Sequence, residues 1–346
     1  MTDVTDPISW PEVLAALVAG RDLSAQQTAW AMGEILAGEA SPAQIAGFSV
    51  ALRAKGETIE ELRALSDAML ARATPISVPG RLLEIVGTGG DRSMSVNISS
   101  MSAIVAAGAG AKVVKHGNRS ASSKSGSADV LEALGVRLDL PVERITALAE
   151  SAGITFLFAA AFNPAMRHTA LARRELGIGT SFNLLGPISN PARPAANAIG
   201  CADPAIAPVM AGVFAERGLD AWVFRGDDGL DELTTTTTSA LWVVKDGQVT
   251  RHAVEPLDHG LARASAADLR GDDAEYNADV VRRVLAGEKG AARDAVLLNT
   301  GAALAVYDAA PGSVDDVLAA GIARARDSID SGAAQQVLER WVEGSR

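Results

Sequence analysis

The sequence predicts an α/β protein, with a small all-helical domain joined to a larger α/β domain that has a mostly parallel central sheet. Two changes of texture predict it. Up to about Ala73 the chain carries helix-capping patterns and helical periodicity without a strand signal. Beyond Gly80, short apolar runs ending in glycine-rich turns alternate with helical stretches, the pattern of parallel βαβ units. Composition agrees with both. Of 346 residues 48% are hydrophobic but only 4% aromatic, so Ala, Leu and Val must build a core of closely approaching helices.

The elements follow in order. Ser24 with Gln27, Ser41 with Gln44 and Thr58 with Glu61 match the capping-box spacing, in which a hydroxyl caps a free N–H and the later side chain reaches back. Pro42 occupies a first helical position, where a missing N–H costs nothing. Ile45, Phe48 and Leu52 recur on one helical face. Four short helices result, a layer too thin to stand alone. It must pack on the rest of the chain or on another subunit. Thr74 to Gly80, with two prolines, reads as a linker. Leu83–Val86, Val113–Val114, Ile154–Phe158 and Ala221–Phe224 read as strands. Lys245-Asp246-Gly247 joins Leu241–Val244 to Val249–His252 as a hairpin. Thr234–Thr238, five β-branched residues, reads as a strand or strand edge.

Charge bounds the partners. A net charge of −11 opposes nonspecific nucleic-acid binding. The lone Cys201 excludes an internal disulfide framework and a multi-cysteine metal site, and reads as a small buried apolar residue. Asp3 and Asp6 replace the basic start of a secretory leader. The longest apolar stretch, Ile104 to Val114, is broken by Gly108, Gly110 and Lys112 and is too short to span a bilayer. The expectation is a cytoplasmic protein with no membrane or nucleic-acid partner. Between Asp91 and Asp129 there is no carboxylate, although Arg92, Lys112, Lys115, Arg119 and Lys124 all occur. The average density would place about four or five acids there. Such an interval is either an anion pocket or a chance cluster of surface cations.

Four segments carry candidate chemistry. Gly87-Thr88-Gly89-Gly90-Asp91 ends a strand in a turn whose bare backbone can approach an anion, unless it is only a tight βα turn. It matches neither the dinucleotide fingerprint nor the P-loop. Asn97, Ser99 and Ser100 follow, then an Ala-rich helix whose free N–H groups favour a phosphate. Lys115-His116-Gly117-Asn118-Arg119 closes another strand before a serine-rich loop to Ser127, with a helix over Ala128–Leu134 stopped by Gly135. Two cations beside that loop suggest a second phosphate cradle, and His116 reads as structural. Four acids fall within Asp227–Glu232, which is a solvated loop or, beside a polyphosphate, a Mg²⁺ site at Asp231 and Glu232. Arg173-Arg174 is a pair of surface charges or a fork for a carboxylate.

As an ordered set, GTGGD at 87–91, NISS at 97–100, KHGNRSASS at 115–123, SGSAD at 125–129, FNLLGPISNP at 182–191 and DGLDE at 228–232 resemble anthranilate phosphoribosyltransferases, over nearly the whole chain. The resemblance implies Mg²⁺-dependent transfer of 5-phosphoribosyl from phosphoribosyl pyrophosphate (PRPP) to the amine of anthranilate, on the route to tryptophan. It implies that Gly87, Thr88, Gly89, Gly90, Asp91, Asn97, Ser99, Ser100, Lys115 and Ser127 meet PRPP. Ser99, Asp231 and Glu232 would hold Mg²⁺, with two ions expected. Gly87, Asn118 and Arg173 would meet anthranilate, Arg173 facing its carboxylate. It further implies a homodimer through the helical domain. That domain would comprise residues 1–74 plus roughly 170–190, hinged to an α/β domain of 75–169 and 191–346. The chain departs from the family in places. Asn163-Pro164-Ala165-Met166 stands where an HPAM-like segment is frequent, Ala160 replaces a frequent proline, Gly179 replaces a common Arg or Pro, and Ser100 replaces the usual Thr. The first two fall in the region through which anthranilate enters in relatives. Two rivals remain: a pyrimidine nucleoside phosphorylase-like enzyme, which would leave Asp231-Glu232 unexplained, and a non-catalytic nucleic-acid-binding relative, which the charge opposes.

Overall fold

The computed structural model describes residues 7–120 and 124–346. Asp3 and Asp6, and Ser122 and Ser123 of the serine-rich loop, lie outside the described residues.

The four expected N-terminal helices form: α1 (Trp10–Val18), α2 (Ala25–Ala37), α3 (Pro42–Lys55) and α4 (Ile59–Leu70). All three capping boxes close. The hydroxyls of Ser24, Ser41 and Thr58 accept from the N–H groups of Gln27, Gln44 and Glu61 at 3.2, 3.3 and 3.2 Å, and those side chains accept in return. Ile45, Phe48 and Leu52 are buried. The layer does not stand alone. Its core residues form one cluster with residues of a later helix and with one face of the sheet, including Ile199, Val223 and Val244.

The rest of the chain alternates strand and helix: β1 (Leu83–Gly87), α5 (Ile98–Gly108), β2 (Val113–Gly117), α6 (Ser127–Ala133), α7 (Val142–Ser151) and β3 (Ile154–Phe158). Three short helices follow, α8 (Ala159–Phe162), α9 (Ala170–Leu176) and α10 (Ser181–Ile188). Then come β4 (Ala196–Gly200), α11 (Ala207–Glu216), β5 (Asp220–Gly226), β6 (Ser239–Lys245) and β7 (Gln248–Val254). Four helices end the chain: α12 (Ala274–Leu285), α13 (Ala291–Asp308), α14 (Val314–Asp330) and α15 (Ala333–Ser345). Among the described residues the seven strands form one sheet of order β3-β2-β1-β4-β5-β6-β7, parallel through β5 and antiparallel for the last two. The hairpin turns at Asp246 and Gly247, whose φ values of 50° and 71° are both left-handed, as a two-residue type I′ turn requires. The larger core, packed from α5, α12, α13, α14 and α15, covers the other sheet face.

One strand went unexpected and one expectation needs correction. β4 carries no strand signal in the sequence, because Ala196-Asn197-Ala198-Ile199-Gly200 holds one β-branched residue, yet all five are buried in mid-sheet. The threonine run is not a strand. Thr234 Oγ1 donates to Asp228 at 2.7 Å, Thr236 Oγ1 donates to the same carboxylate, and Thr238 Oγ1 donates to Asp227 at 2.5 Å. Those side-chain bonds hold the run as a loop and outcompete a ladder.

Strand order reverses at β1, since β2 and β3 lie on one side and β4 and β5 on the other. In open α/β sheets the crevice beyond the strand ends at such a point is where ligands bind. Helix α13 fixes one wall of it: Asn299 Oδ1 accepts from Leu233 N–H at 2.9 Å and its Nδ2 donates to Leu233 O at 2.8 Å, both buried. Asn299→Ala should therefore lower the unfolding free energy by about 1–3 kcal/mol for each backbone group left bare, read from urea denaturation.

Candidate active site

The carboxyl ends of β1 and β4 meet at Gly87 and Gly200, which pair in register. Both positions exclude any side chain. A Cβ on Gly87 would lie 2.1 Å from Asp231 Oδ2, and one on Gly200 would lie 1.5 Å from the Asp231 carbonyl oxygen. The sheet edge is thus bare so that the segment after β5 can lie across it. Gly89 N–H donates to Asp231 Oδ2 at 2.6 Å. Thr88 N–H donates to Gly200 O at 2.9 Å and Thr88 Oγ1 accepts from Ala202 N–H at 3.2 Å, which pins the turn to β4. Gly89, Gly90, Arg92 and Met94 all have positive φ, so the turn after β1 repeatedly adopts the left-handed conformation that exposes N–H groups.

Asp91, Asp231 and Glu232 converge there, with carboxylate oxygens within 4.8 Å of one another. Asp231 and Glu232 are buried and hydrogen-bond each other. Burial, then repulsion from the neighbouring carboxylates, pushes both well above the usual carboxylate range, Asp231 to about 6. One cation answers them. Lys115, fully buried at the end of β2, donates to Ile85 O at 2.6 Å and to Ser99 Oγ at 3.3 Å. Burial pulls its pKa down, while Glu84, Glu232 and Asp231 oppose that. A single ammonium cannot neutralise three converging carboxylates. Hard oxygen ligands with surplus negative charge suit Mg²⁺, so the donor set fits that ion. Asp91, expected only as a donor-site residue, belongs to this cluster. Its position four residues after a paired glycine was the signal available.

The other expected residues divide. Ser127 Oγ donates to Asn118 O at 3.3 Å and Ala128 N–H to the same oxygen at 3.2 Å, so Asn118 and Ser127 sit together at the start of α6. Asn97 is occupied: its Nδ2 donates to Ser125 O at 3.3 Å and its Oδ1 accepts from Asn277 at 2.9 Å. Ser100 is buried in the first turn of α5, its hydroxyl without a partner. Arg119 does not serve a phosphate cradle, because it is bound to Asp129 at 2.9 Å and Glu132 at 2.6 Å. Lys115 turns inward to the carboxylates rather than beside the serine loop. The second cradle is therefore left with backbone and hydroxyl groups.

On the side of the short helices, His116 is buried and structural, as expected. Its Nδ1 meets Gly186 O at 3.0 Å, which makes that nitrogen the donor, and Asn163 Nδ2 faces Nε2 at 3.5 Å. Burial lowers its pKa to about 4, so the ring is neutral. Asn163 Oδ1 is buried without a partner. Arg173, half-buried on α9, has no carboxylate partner among the described residues, and burial alone lowers its pKa. A charged group placed so is available to an incoming anion. The lone Cys201 is buried, and burial pushes its thiol up to about 12.

Known proteins resemble this chain over nearly its whole length. Residues 79–335 match a family profile described as the glycosyl transferase family a/b domain, and residues 11–73 match its helical bundle domain. The chain is 72% identical over 334 residues to the anthranilate phosphoribosyltransferase of a Nocardioides species, covering 96% of this chain and 98% of that one. It superposes on the crystal structure of anthranilate phosphoribosyltransferase from Thermus thermophilus with a TM-score of 0.90 at 42% identity, over 96% of this chain and 99% of that one. The Saccharomyces cerevisiae enzyme in complex with PRPP and Mg gives a TM-score of 0.88 at 26% identity, over 97% of each chain.

The carboxylate pair makes a signed prediction. A raised carboxylate pKa means the folded state holds protons more tightly than the unfolded chain, so this pair's contribution falls as pH rises from about 4 through about 6. Asp231→Asn should raise the melting temperature of the metal-free protein more at pH 7 than at pH 4. Mg²⁺ should raise that of the wild type and leave the variant unmoved.

Proposed function

The chain belongs to the anthranilate phosphoribosyltransferase family, and on that premise we propose that it moves the 5-phosphoribosyl group of PRPP onto the amine of anthranilate. The products are N-(5-phosphoribosyl)anthranilate and pyrophosphate, the second step of tryptophan synthesis from chorismate. One observation carries the reading: a bare glycine turn, a buried ammonium and three carboxylates converge beyond the strand ends at the topological switch point.

The residues divide the labour as follows. Gly87, Thr88, Gly89, Gly90, Asp91, Asn97, Ser99, Ser100, Lys115 and Ser127 form the PRPP side, where turn amides, hydroxyls and one ammonium meet phosphate oxygens. Asn97 acts through its bonds to Ser125 and Asn277, which fix the loop, and Ser100 through its place in the first turn of α5. Asp231, Glu232 and Ser99 would hold Mg²⁺, and Asp91, whose carboxylate lies within 4.8 Å of the other two, would join them, with two ions expected from the family resemblance. Bound Mg²⁺ supplies positive charge to the departing pyrophosphate. Lys115 adds its own charge on the same side, preorganised because Ile85 O and Ser99 Oγ already hold it. As the C1–O bond breaks, C1 gains oxocarbenium character, and the neutral aryl amine forms the C1–N bond and releases its proton. Gly87, Asn118 and Arg173 position anthranilate, with the unpaired Arg173 guanidinium on its carboxylate. Positioning suffices for a neutral nucleophile, and neutral His116, bonded at both ring nitrogens, is not needed as a base.

The same reading extends to the assembly. Ala172, Phe182, Leu184, Leu185 and Ile188 share the hydrophobic cluster of α1 to α4, which supports grouping roughly 170–190 with the helical domain. Exposed Val18 and Val50 on α1 and α3 support a homodimer through that domain. Among the described residues no helix is long and apolar enough to cross a membrane, and we assign the enzyme to the cytoplasm.

Loss of anthranilate fluorescence on mixing with PRPP and Mg²⁺, absent without either, tests the assignment; no consumption would overturn it. Glu232→Gln should cut kcat by about 100-fold or more at saturating Mg²⁺. Arg173→Ala should raise the anthranilate KM by roughly 10–100-fold while the PRPP KM stays put, the loss expected for one charged hydrogen-bond fork.

A further inference from the structure

The machinery above leaves the buried carboxylate beside Lys115 without a role. Glu84, the second residue of β1, is fully buried in a central parallel strand, where a carboxylate is costly unless bonded. What bonds it reshapes the sheet. β1 pairs with β4 at five positions and β2 with β3 at five, but β1 and β2 pair only at Leu83 and Val113. Leu83 N–H donates to Lys112 O at 2.9 Å. A parallel ladder continued from there would take Ile85 N–H to Val114 O and His116 N–H to Ile85 O. Neither bond forms. Glu84 instead accepts from His116 N–H at 3.0 and 3.2 Å, and the neighbouring Ile85 N–H also favours its charged form. Asn190 Nδ2 donates to Val114 O at 2.8 Å and to the Glu84 carboxylate. Lys115 Nζ takes Ile85 O. Three side chains have replaced two rungs of backbone ladder.

The replacement has a consequence at the reaction centre. With His116 N–H held by Glu84, the side of Ile85 O that would face β2 is left to Lys115 Nζ. We propose that Glu84 is a positioning residue for the transfer: it wedges the β1–β2 seam open and, as a buried counter-charge, seats the Lys115 ammonium against Ile85 O and Ser99 on the PRPP side. The assignment rests on the transferase reading above. It separates from a mere packing role. Were Glu84 only filler, an apolar residue would serve as well, because replacing a buried charge by an apolar group is often neutral or stabilising. In the positioning role, Glu84→Val lets the seam zip, and His116 N–H competes with Lys115 for Ile85 O.

The test compares Glu84→Gln, Glu84→Val and Glu84→Asp with the wild type, with melting temperatures recorded for each. Kinetics are measured for both substrates, and PRPP binding by calorimetry in Mg²⁺. Expected is a fall of roughly 10-fold or more in kcat/KM for PRPP and in its affinity for the Gln and Val variants. The anthranilate KM stays within about twofold, and Glu84→Asp, which keeps the charge, recovers most of the loss. Wild-type kcat/KM for PRPP in folded Glu84→Val would overturn the proposal, as would equal losses for the two substrates. If Glu84→Gln does not fold, the Val and Asp variants decide by the same criterion. A wild type that binds PRPP but transfers nothing would instead defeat the functional reading.

Discussion

The arrangement depends on burying one ammonium among carboxylates at the point where strand order reverses. Lys115 is withdrawn from bulk solvent, and its oppositely charged neighbours Glu84, Asp231 and Glu232 are buried as well. Each charge alone would be expelled or neutralised; together they form a network that is tolerable only with every donor and acceptor placed. That demand propagates outward. Gly87 and Gly200 must be bare for Asp231 to reach the sheet end, and Asn299 must clamp Leu233 for Glu232 to stay beside it. The β1–β2 ladder must open for the lysine to lie between the strands.

How much of this the sequence displays depends on where the physical signal is local. Three of the four N-terminal helices were legible from their caps because a capping box is complete within four residues. The glycine turn, Lys115, Asp231 and Glu232 were legible because bare backbone and clustered acids stand out against an Ala-rich chain. β4 was not, since its strand character comes from two flanking strands rather than from its small residues. The threonine run misled for the same reason in reverse: local β propensity lost to hydroxyl bonds with Asp227 and Asp228. Glu84 was invisible, because one acid in a five-residue strand looks like an outward-facing polar position. The pairing of Arg119 with Asp129 and Glu132 was equally hidden, being set by the fold of the loop.

The two halves of the site differ in how they are supported. The PRPP half is carried by strand ends and turn amides bonded to the sheet. Arg173, proposed for the acceptor, sits on α9, and the apolar residues of α9 and α10 pack with the helical layer. A small set of polar contacts ties that layer to the rest. Glu57, after α3, accepts from Ser181 Oγ at 2.6 Å at the head of α10, and Arg53 bridges Glu57 to Asp203 beyond β4. The head of α10 is thereby tied to the strand end of β4.

Electrostatics gives the reason for an order in filling the site. Without a divalent ion, Asp231 and Glu232 hydrogen-bond each other at raised pKa, and that shared proton is the least costly counter-charge available. A divalent ion must displace it, so metal affinity rises with pH as the proton is lost. A pyrophosphate group brings negative charge that the single ammonium of Lys115 cannot neutralise, and the turn amides are dipoles rather than charges. Donor and cation therefore favour each other: the cation relieves the carboxylate repulsion, and the phosphate oxygens complete its ligand shell. On the proposed reading anthranilate adds no charge at that point, because its carboxylate is assigned to Arg173 on α9. The carboxylate repulsion is thus concentrated on the side of the site proposed for the donor, where cation and pyrophosphate can offset it together.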